Sequence, residues 1–274
     1  MKKKSIIIRL RRKLFRFLYG KGSPRLIQIR YGRLKLKIMS DSPMAELLFS
    51  GVGFEEREMK YINSITKPGD IVMDVGANVG IYTLFFSNLV GMTGHVWSFE
   101  PSPLAVSILR ENVAMNFLKN VSVVEKLLAD KIGPIEFYIF DNTGDVYNSI
   151  GASERPVEEI KASKAIIMKS YTLDAFADEN KIKKINIIKI DVEGAEELVL
   201  RGGVGLLEKS DKLIVLSELY EPSLTQCGCS VESLVSFMRS IGFSCWEIKE
   251  NGSLRGWEKY HGGTSYVVFK KDDE

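Results

Sequence analysis

The chain is poor in cysteine: three among 274 residues, two of them in Cys227-Gly228-Cys229. So few thiols exclude a disulfide scaffold and point to a reducing compartment. No stretch reaches about 18 apolar residues, so no segment reads as a membrane-spanning helix. Internal repeats and low-complexity tracts are absent. With 45% hydrophobic and 27% charged residues, the composition is globular rather than disordered or collagen-like. A chain this long buries roughly three quarters of its unfolded surface, as one large α/β domain or two smaller ones.

Acid is missing from one region. Residues 1–37 hold 14 Lys/Arg and no Asp or Glu, while the remainder holds 24 basic and 35 acidic residues, a balance of −11. The formal charge of +3 for the whole chain conceals this. A nucleic-acid-binding domain would carry its cations as a patch on the fold, so no nucleic-acid partner is expected. In the arm, Ile7, Leu10, Leu14, Phe17 and Leu18 recur at helical spacing, and Arg9, Arg11 and Arg12 break any apolar signal core. Residues 1–20 suit a helix lying on an anionic membrane surface; a solvated basic tail or a helix docked on the acidic body is the alternative. The expected location is cytoplasmic, at the inner face of the membrane if the arm binds it.

Arg25–Met39 alternates like a short β-hairpin around Tyr31-Gly32-Arg33, and Asp41–Gly53 reads as a connector. From about Phe54 helical and strand patterns alternate, which argues for a doubly wound, mostly parallel sheet. Two units are expected: a basic helix and β-hairpin extension over 1–53, and the α/β domain over 54–274. Strands are read at Ile71–Val75, His95–Phe99, Val121–Leu128, Ile185–Asp191 and Leu213–Glu218, with Ser244–Ile248 and Ser265–Phe269 as a closing antiparallel pair. Ser102-Pro103 begins a helix, with Ser at the N-cap and Pro at the first helical position. Ile135–Phe140 and Ala165–Tyr171 are β-like around a polar loop from Asp141 to Pro156.

The informative constellation is Asp74-Val75-Gly76-Ala77-Asn78-Val79-Gly80, with Glu100 at the next strand end. Ligands in such sheets bind beyond the carboxyl ends of the strands. Gly76 and Gly80 permit a sharp turn and a close backbone approach. Glu100 is placed to accept two hydrogen bonds from a ribose diol. A dinucleotide site needs Gly-x-Gly-x-x-Gly, but Asn78 and Ile81 stand at the second and third glycine positions. Asp74 beside a pyrophosphate would repel it, whereas beside a sulfonium it would attract. These residues favour S-adenosylmethionine over a nicotinamide dinucleotide. Asp130, ending the third strand, is either an acceptor for the adenine amine or a solvated turn acid beside Lys131 and Gly133.

These motifs resemble the FkbM family of S-adenosylmethionine-dependent methyltransferases. Asp74–Thr83 looks like its first motif and Phe99-Glu100-Pro101-Ser102 like its second. Thr172-Leu173-Asp174 with Ile188–Glu196 is similar to its most distinctive stretch. The resemblance covers roughly 54–269 and implies a seven-stranded methyltransferase sheet. It also implies O-methylation, often of sugars in surface polysaccharides, glycolipids or secondary metabolites. Carried over by position, Gly76, Asn78 and Gly80 cradle the methionine part, Glu100 holds the ribose and Asp130 faces the adenine. The long basic arm and Cys227-Gly228-Cys229 depart from the family's commonest pattern.

Methyl transfer from a sulfonium is an in-line displacement in which alignment of the acceptor supplies much of the rate. A sugar hydroxyl is a poor nucleophile that a positioned base assists. Asp191 and Glu193 at the fourth strand end are the first candidates, although either could cap the following helix. His261, in the loop between the last two strands, is the second; beside Gly262-Gly263 it could also serve a turn. Lys189, inside an apolar strand, needs a partner such as Asp191 or Glu218. Asp191 and Glu218 could share Mg²⁺, but no third ligand is evident and no metal is expected. The tract Trp257–His261 with Asn142–Ser149 is a candidate acceptor pocket. The competing readings are a nicotinamide oxidoreductase, a non-catalytic membrane-associated module, and methylation of a small metabolite or protein.

Overall fold

The computed structural model describes residues 2–20, 25–31, 33–140, 148–151 and 164–271. The polar loop read over Asp141–Pro156 lies outside them except for its residues 148–151. The chain opens with α1 (Lys2–Tyr19), the hairpin β1 (Leu26–Tyr31) and β2 (Leu34–Met39), and α2 (Pro43–Ser50). A connector was expected where α2 stands. A proline starts this helix, and Gly51, left-handed at φ 76°, ends it. Those are the two punctuation marks that favour a short helix.

The α/β part runs α3 (Glu56–Ile65), β3 (Ile71–Val75), α4 (Ile81–Val90), β4 (His95–Phe99), α5 (Pro103–Met115) and β5 (Val121–Val124). Next come β6 (Leu127–Leu128), β7 (Gly133–Ile139), β8 (Lys164–Tyr171), α6 (Leu173–Glu179) and β9 (Ile187–Ile190). Then follow α7 (Glu196–Arg201), α8 (Val204–Lys209), β10 (Ile214–Leu219), α9 (Glu221–Gln226) and α10 (Val231–Ser240). The chain closes with β11 (Ser244–Ile248), β12 (Leu254–Gly256) and β13 (Ser265–Lys270).

The central sheet has the order β12-β11-β13-β10-β9-β3-β4-β5. Strands β10, β9, β3, β4 and β5 are mutually parallel, and β13 pairs antiparallel with both β10 and β11. Seven of the eight strands are those the motifs imply; the eighth is the three-residue edge strand β12. The run Val121–Leu128 was expected to form one strand. Instead it breaks at Glu125-Lys126, and Leu127-Leu128 joins β7 and β8 in a separate three-stranded sheet.

The central strands alternate between two cores, as period-2 geometry requires. Val72, Ile187, Leu216 and Val268 enter one core with α3, α4 and the N-terminal elements; Met73, Ile188, Val215 and Val267 enter the other with α6, α8 and α10. Such two-sided burial is why these strands read as apolar runs. Ile27, Ile29, Leu36 and Ile38 of the hairpin and Phe15 of α1 join the first core. The opposite edge of β2 is met by α5. The Asn112 amide accepts from the Lys37 N–H (2.6 Å) and donates to its carbonyl (2.9 Å). Asn116 does the same for Lys35 at 2.9 and 2.7 Å. Ser102 caps α5 through the Ala105 N–H, as its sequence position predicts.

Candidate active site

The carboxyl ends of β9, β3 and β4 open into a cavity of about 280 Å³. That is near the lower end for small-molecule sites, roughly 300–1,000 Å³. The sheet order sets what lines it. Tyr266 on β13 and Glu218 on β10 come first, then Asp191 after β9, Gly76–Val79 after β3, Glu100 after β4, and Lys126–Leu128 beyond β5. At about 4.8 Å per strand, Glu100 and Asp191 are separated by two spacings, about 10 Å.

The turn after β3 is fixed by its backbone. Gly76 (φ 77°), Asn78 (φ 48°) and Gly80 (φ 93°) are all left-handed. Only glycine fits position 76, because an added Cβ would run into the Asp191 carbonyl. The Phe99 carbonyl accepts from the N–H groups of Gly76 (3.0 Å) and Ala77 (2.9 Å). Glu100 accepts from the Asn78 N–H on one oxygen and the Ser102 N–H on the other, each at 2.9 Å. Glu100 itself lines the cavity beside this turn. The glycine cradle and the anchored acid together fit an adenosyl cofactor. Asp74 does not line the cavity. It is fully buried behind the turn, where it accepts from the Thr83 hydroxyl at 2.6 Å. Burial raises its pKa against the pull of Lys189. The contact with a sulfonium expected of Asp74 is therefore not available from the cavity.

The other end of the cavity is built from charged side chains. Lys189 is 3% exposed, donates to Asp191 at 3.1 Å and lies 3.9 Å from Asp74. Burial works to lower its pKa, but the carboxylates of Asp191 and Asp74 outweigh it and hold the ammonium above the ordinary lysine range. The pairing expected for this buried lysine is thus found, with Asp74 added. The Tyr266 hydroxyl donates to the same Asp191 oxygen at 2.7 Å and lies 3.5 Å from Glu55. Tyr82 donates to the other oxygen of Glu55. Burial and then the Asp191 charge push the Glu55 carboxyl up to about 7. Glu55 stands at the N-cap of α3 in a left-handed conformation, φ 43°. Such strain in a non-glycine residue is concentrated at functional sites.

Glu193 also lines the cavity, at φ 58°. The N-cap of α7 is Ala195, with no side-chain cap bond. Glu196, in the first turn, instead ties down the preceding turn by accepting from the N–H groups of Val192 (2.9 Å) and Gly194 (3.2 Å). Burial pushes Glu196 to about 7 against those bonds. Glu218 is raised well above the ordinary range by burial, then by the charges of Asp191 and Glu193.

Of the nine residues expected at the site, Gly76, Asn78, Glu100, Asp191 and Glu193 line the cavity, and Gly80 and Asp74 support its wall from behind. Asp130 and His261 are not brought there. Asp130 is exposed, because the chain leaves the central sheet at Glu125-Lys126 and carries it past the cavity on the small sheet. His261 is exposed because the β11–β12 hairpin draws its loop to the outer edge. Trp257 and Tyr260 pack on the core instead of the cavity. Of the Asn142–Ser149 tract, Asn148 lines the cavity, while residues 142–147 lie outside the described residues. Glu55, Tyr82 and Tyr266 went unread as site residues. The sequence pattern over residues 55–66 reads as a helix, which marks Glu55 only as an acid at its start. Among the described residues no group of three or more His, Cys, Asp or Glu side chains is arranged to hold a metal.

The sequence model of a family described as Methyltransferase FkbM domain matches residues 74–245. Over 174 residues the chain is 28% identical to the 2-O-methyltransferase NoeI of Sinorhizobium fredii, covering 60% of this chain and 70% of that one. Over 147 residues it is 23% identical to the hexuronic acid methyltransferase AglP of Haloferax volcanii, covering 53% of this chain and about half, 55%, of that one. A crystal structure of methyltransferase FkbM from Methylobacillus flagellatus aligns with a TM-score of 0.47 at 14% identity, over 82% of this chain and 54% of that one.

Proposed function

This chain belongs to the FkbM methyltransferase family, and from that premise we propose that it methylates a hydroxyl of a sugar or glycan at the charged end of the cavity. The expected cofactor, S-adenosylmethionine, supplies a methyl group activated on sulfur. In this reading Glu100 grips the ribose diol, and the Gly76–Gly80 turn lies under the methionine part. The acceptor hydroxyl sits between Asp191 and Glu55. With the cofactor bound, its sulfonium would supply the methyl group, and Asp191 or Glu55 would take the proton that the acceptor hydroxyl gives up. Tyr266, within reach of both acids, and Lys189 orient Asp191.

The observation that carries the reading is the division of one cavity into an end with a diol acceptor and an end with two acids bridged by a hydroxyl. The names of NoeI and AglP, a 2-O-methyltransferase and a hexuronic acid methyltransferase, support the acceptor class.

Calorimetry with S-adenosylhomocysteine, followed by transfer assays on hexose, uronic acid and non-sugar hydroxyl acceptors, tests both parts. Wild-type protein should bind and Glu100→Ala should lose at least about tenfold in affinity, as expected for charge-assisted bonds to a diol. Binding that survives Glu100→Ala unchanged would refute the cofactor placement. Turnover confined to non-sugar acceptors would refute the substrate class.

A further inference from the structure

The helix α1 sits on the body by one face only. Phe15, 4% exposed, packs against Tyr19 and Phe49 with ring centroids 5.1 and 5.4 Å apart. Arg16 donates to both carboxylate oxygens of Glu46 on α2, and Arg25 donates to the Leu18 carbonyl at 2.8 Å. This seat fixes the helix's rotation. The residues left outward are then Ile6, Ile7, Leu10, Leu14, Phe17 and Leu18, with Phe17 81% and Leu10 61% exposed. At 100° per residue these six fall within roughly one third of the circumference. Arg11 and Lys13 flank the stripe on its two sides.

Single exposed apolar residues are ordinary, but a continuous stripe bordered by cations is not. We propose that α1 is a docking helix whose outward stripe lies in the interface of an anionic phospholipid bilayer. Two features select this occupant. The stripe supplies the apolar area that an interfacial helix buries, and the cations of α1 other than Arg16, which is paired with Glu46, supply the attraction to anionic headgroups, with no acid in residues 1–37 to oppose them. A second copy of the same helix would meet like charge with like charge. Nucleic acid would gain nothing from the exposed Leu and Phe side chains. No helix among the described residues is long and apolar enough to cross a membrane, so the contact is with one surface. α2 holds the seat of α1 through Glu46 and Phe49 and lends Met44 to the cavity wall. The docked helix is therefore one short element away from the cavity.

The test is flotation of the full chain with vesicles of equal parts phosphatidylglycerol and phosphatidylcholine, compared with phosphatidylcholine alone. Wild-type protein should float with the anionic vesicles only. The triple variant Leu10→Ser, Leu14→Ser, Phe17→Ser should lose at least about tenfold in vesicle affinity. Its melting temperature and S-adenosylhomocysteine binding should stay unchanged, because these side chains touch neither the seat nor the cavity. Three results would overturn the proposal: wild-type protein that does not float, triple-variant protein that floats as well as wild type, or a concentration-dependent dimer that the triple variant abolishes without any lipid binding. Failure of S-adenosylhomocysteine binding with flotation intact would count against the cavity assignment alone.

Discussion

At one end of the cavity Glu100 is held by the N–H groups of Asn78 and Ser102; at the other Asp191 is held by the Lys189 ammonium and the Tyr266 hydroxyl. The first arrangement is local. Its parts come from residues 74–80 and 99–102, and backbone groups set its geometry. The second draws on residues from β3, β9, β10, β13 and the starts of α3 and α4, and gathers several carboxylates around one lysine. Backbone anchoring fixes the position of a group through neighbours that do not themselves titrate. Burial in the charged cluster brings the Glu55 carboxyl up to about 7, the range that suits a group exchanging a proton.

The most severe way to break this contrast is Lys189→Met. It leaves Asp74 and Asp191 facing each other without a cation, and losing one partner of a buried pair costs about 3–5 kcal/mol. Denaturant midpoints should fall accordingly, and adding Asp74→Asn should recover part of the loss. Gly76→Ala attacks the junction of the two ends, since its Cβ meets the Asp191 carbonyl at a positive φ. Overpacking and strain together predict about 3 kcal/mol of destabilisation and loss of S-adenosylhomocysteine binding by calorimetry.

Glu55→Gln sharpens the contrast without unfolding it. With its carboxyl at about 7, wild-type kcat/KM should rise with pH through that value as Glu55 ionises. The variant should lose that limb and about a hundredfold in rate, while S-adenosylhomocysteine affinity holds. The mildest change is Glu196→Gln, which keeps an acceptor oxygen for Val192 and Gly194 and should show only as a change in pH dependence. Glu196 has its pKa raised from 4.5 to about 7 on folding. The folded state therefore holds this proton more tightly, and the resulting stability is full below about 4.5 and is lost as pH rises through about 7. Replacing the group should flatten that decline by up to about 3 kcal/mol, read as the difference between denaturation midpoints at the two ends of the window.

The same contrast explains what the sequence made legible. The turn and Glu100 stand out because strand, turn and next strand end are near one another in the chain, and left-handed positions leave glycine as a trace. Lys189 announced itself as a charge within an apolar strand. Tyr266 carried no such mark: in sequence it is one more aromatic residue in a strand, and only antiparallel pairing with Glu218 brings it near Asp191. Glu55 resembled an ordinary acid at a helix start. Asp130 and His261 were placed by assuming that each strand end opens on the cavity. The small sheet and the β11–β12 hairpin carry them elsewhere. The helix α2 had proline and glycine at its ends, but its eight residues are too short for periodicity to speak.

Asn112 of α5 and Asn116 at its C-cap have a consequence for how the molecule behaves among its copies. A two-stranded ribbon ordinarily leaves a row of backbone donors and acceptors open to recruiting a foreign strand. Here the amides of Asn112 and Asn116 imitate a neighbouring strand, each returning one bond and taking one. That side of the ribbon is closed to recruitment by a helix, using side chains in place of a backbone ladder.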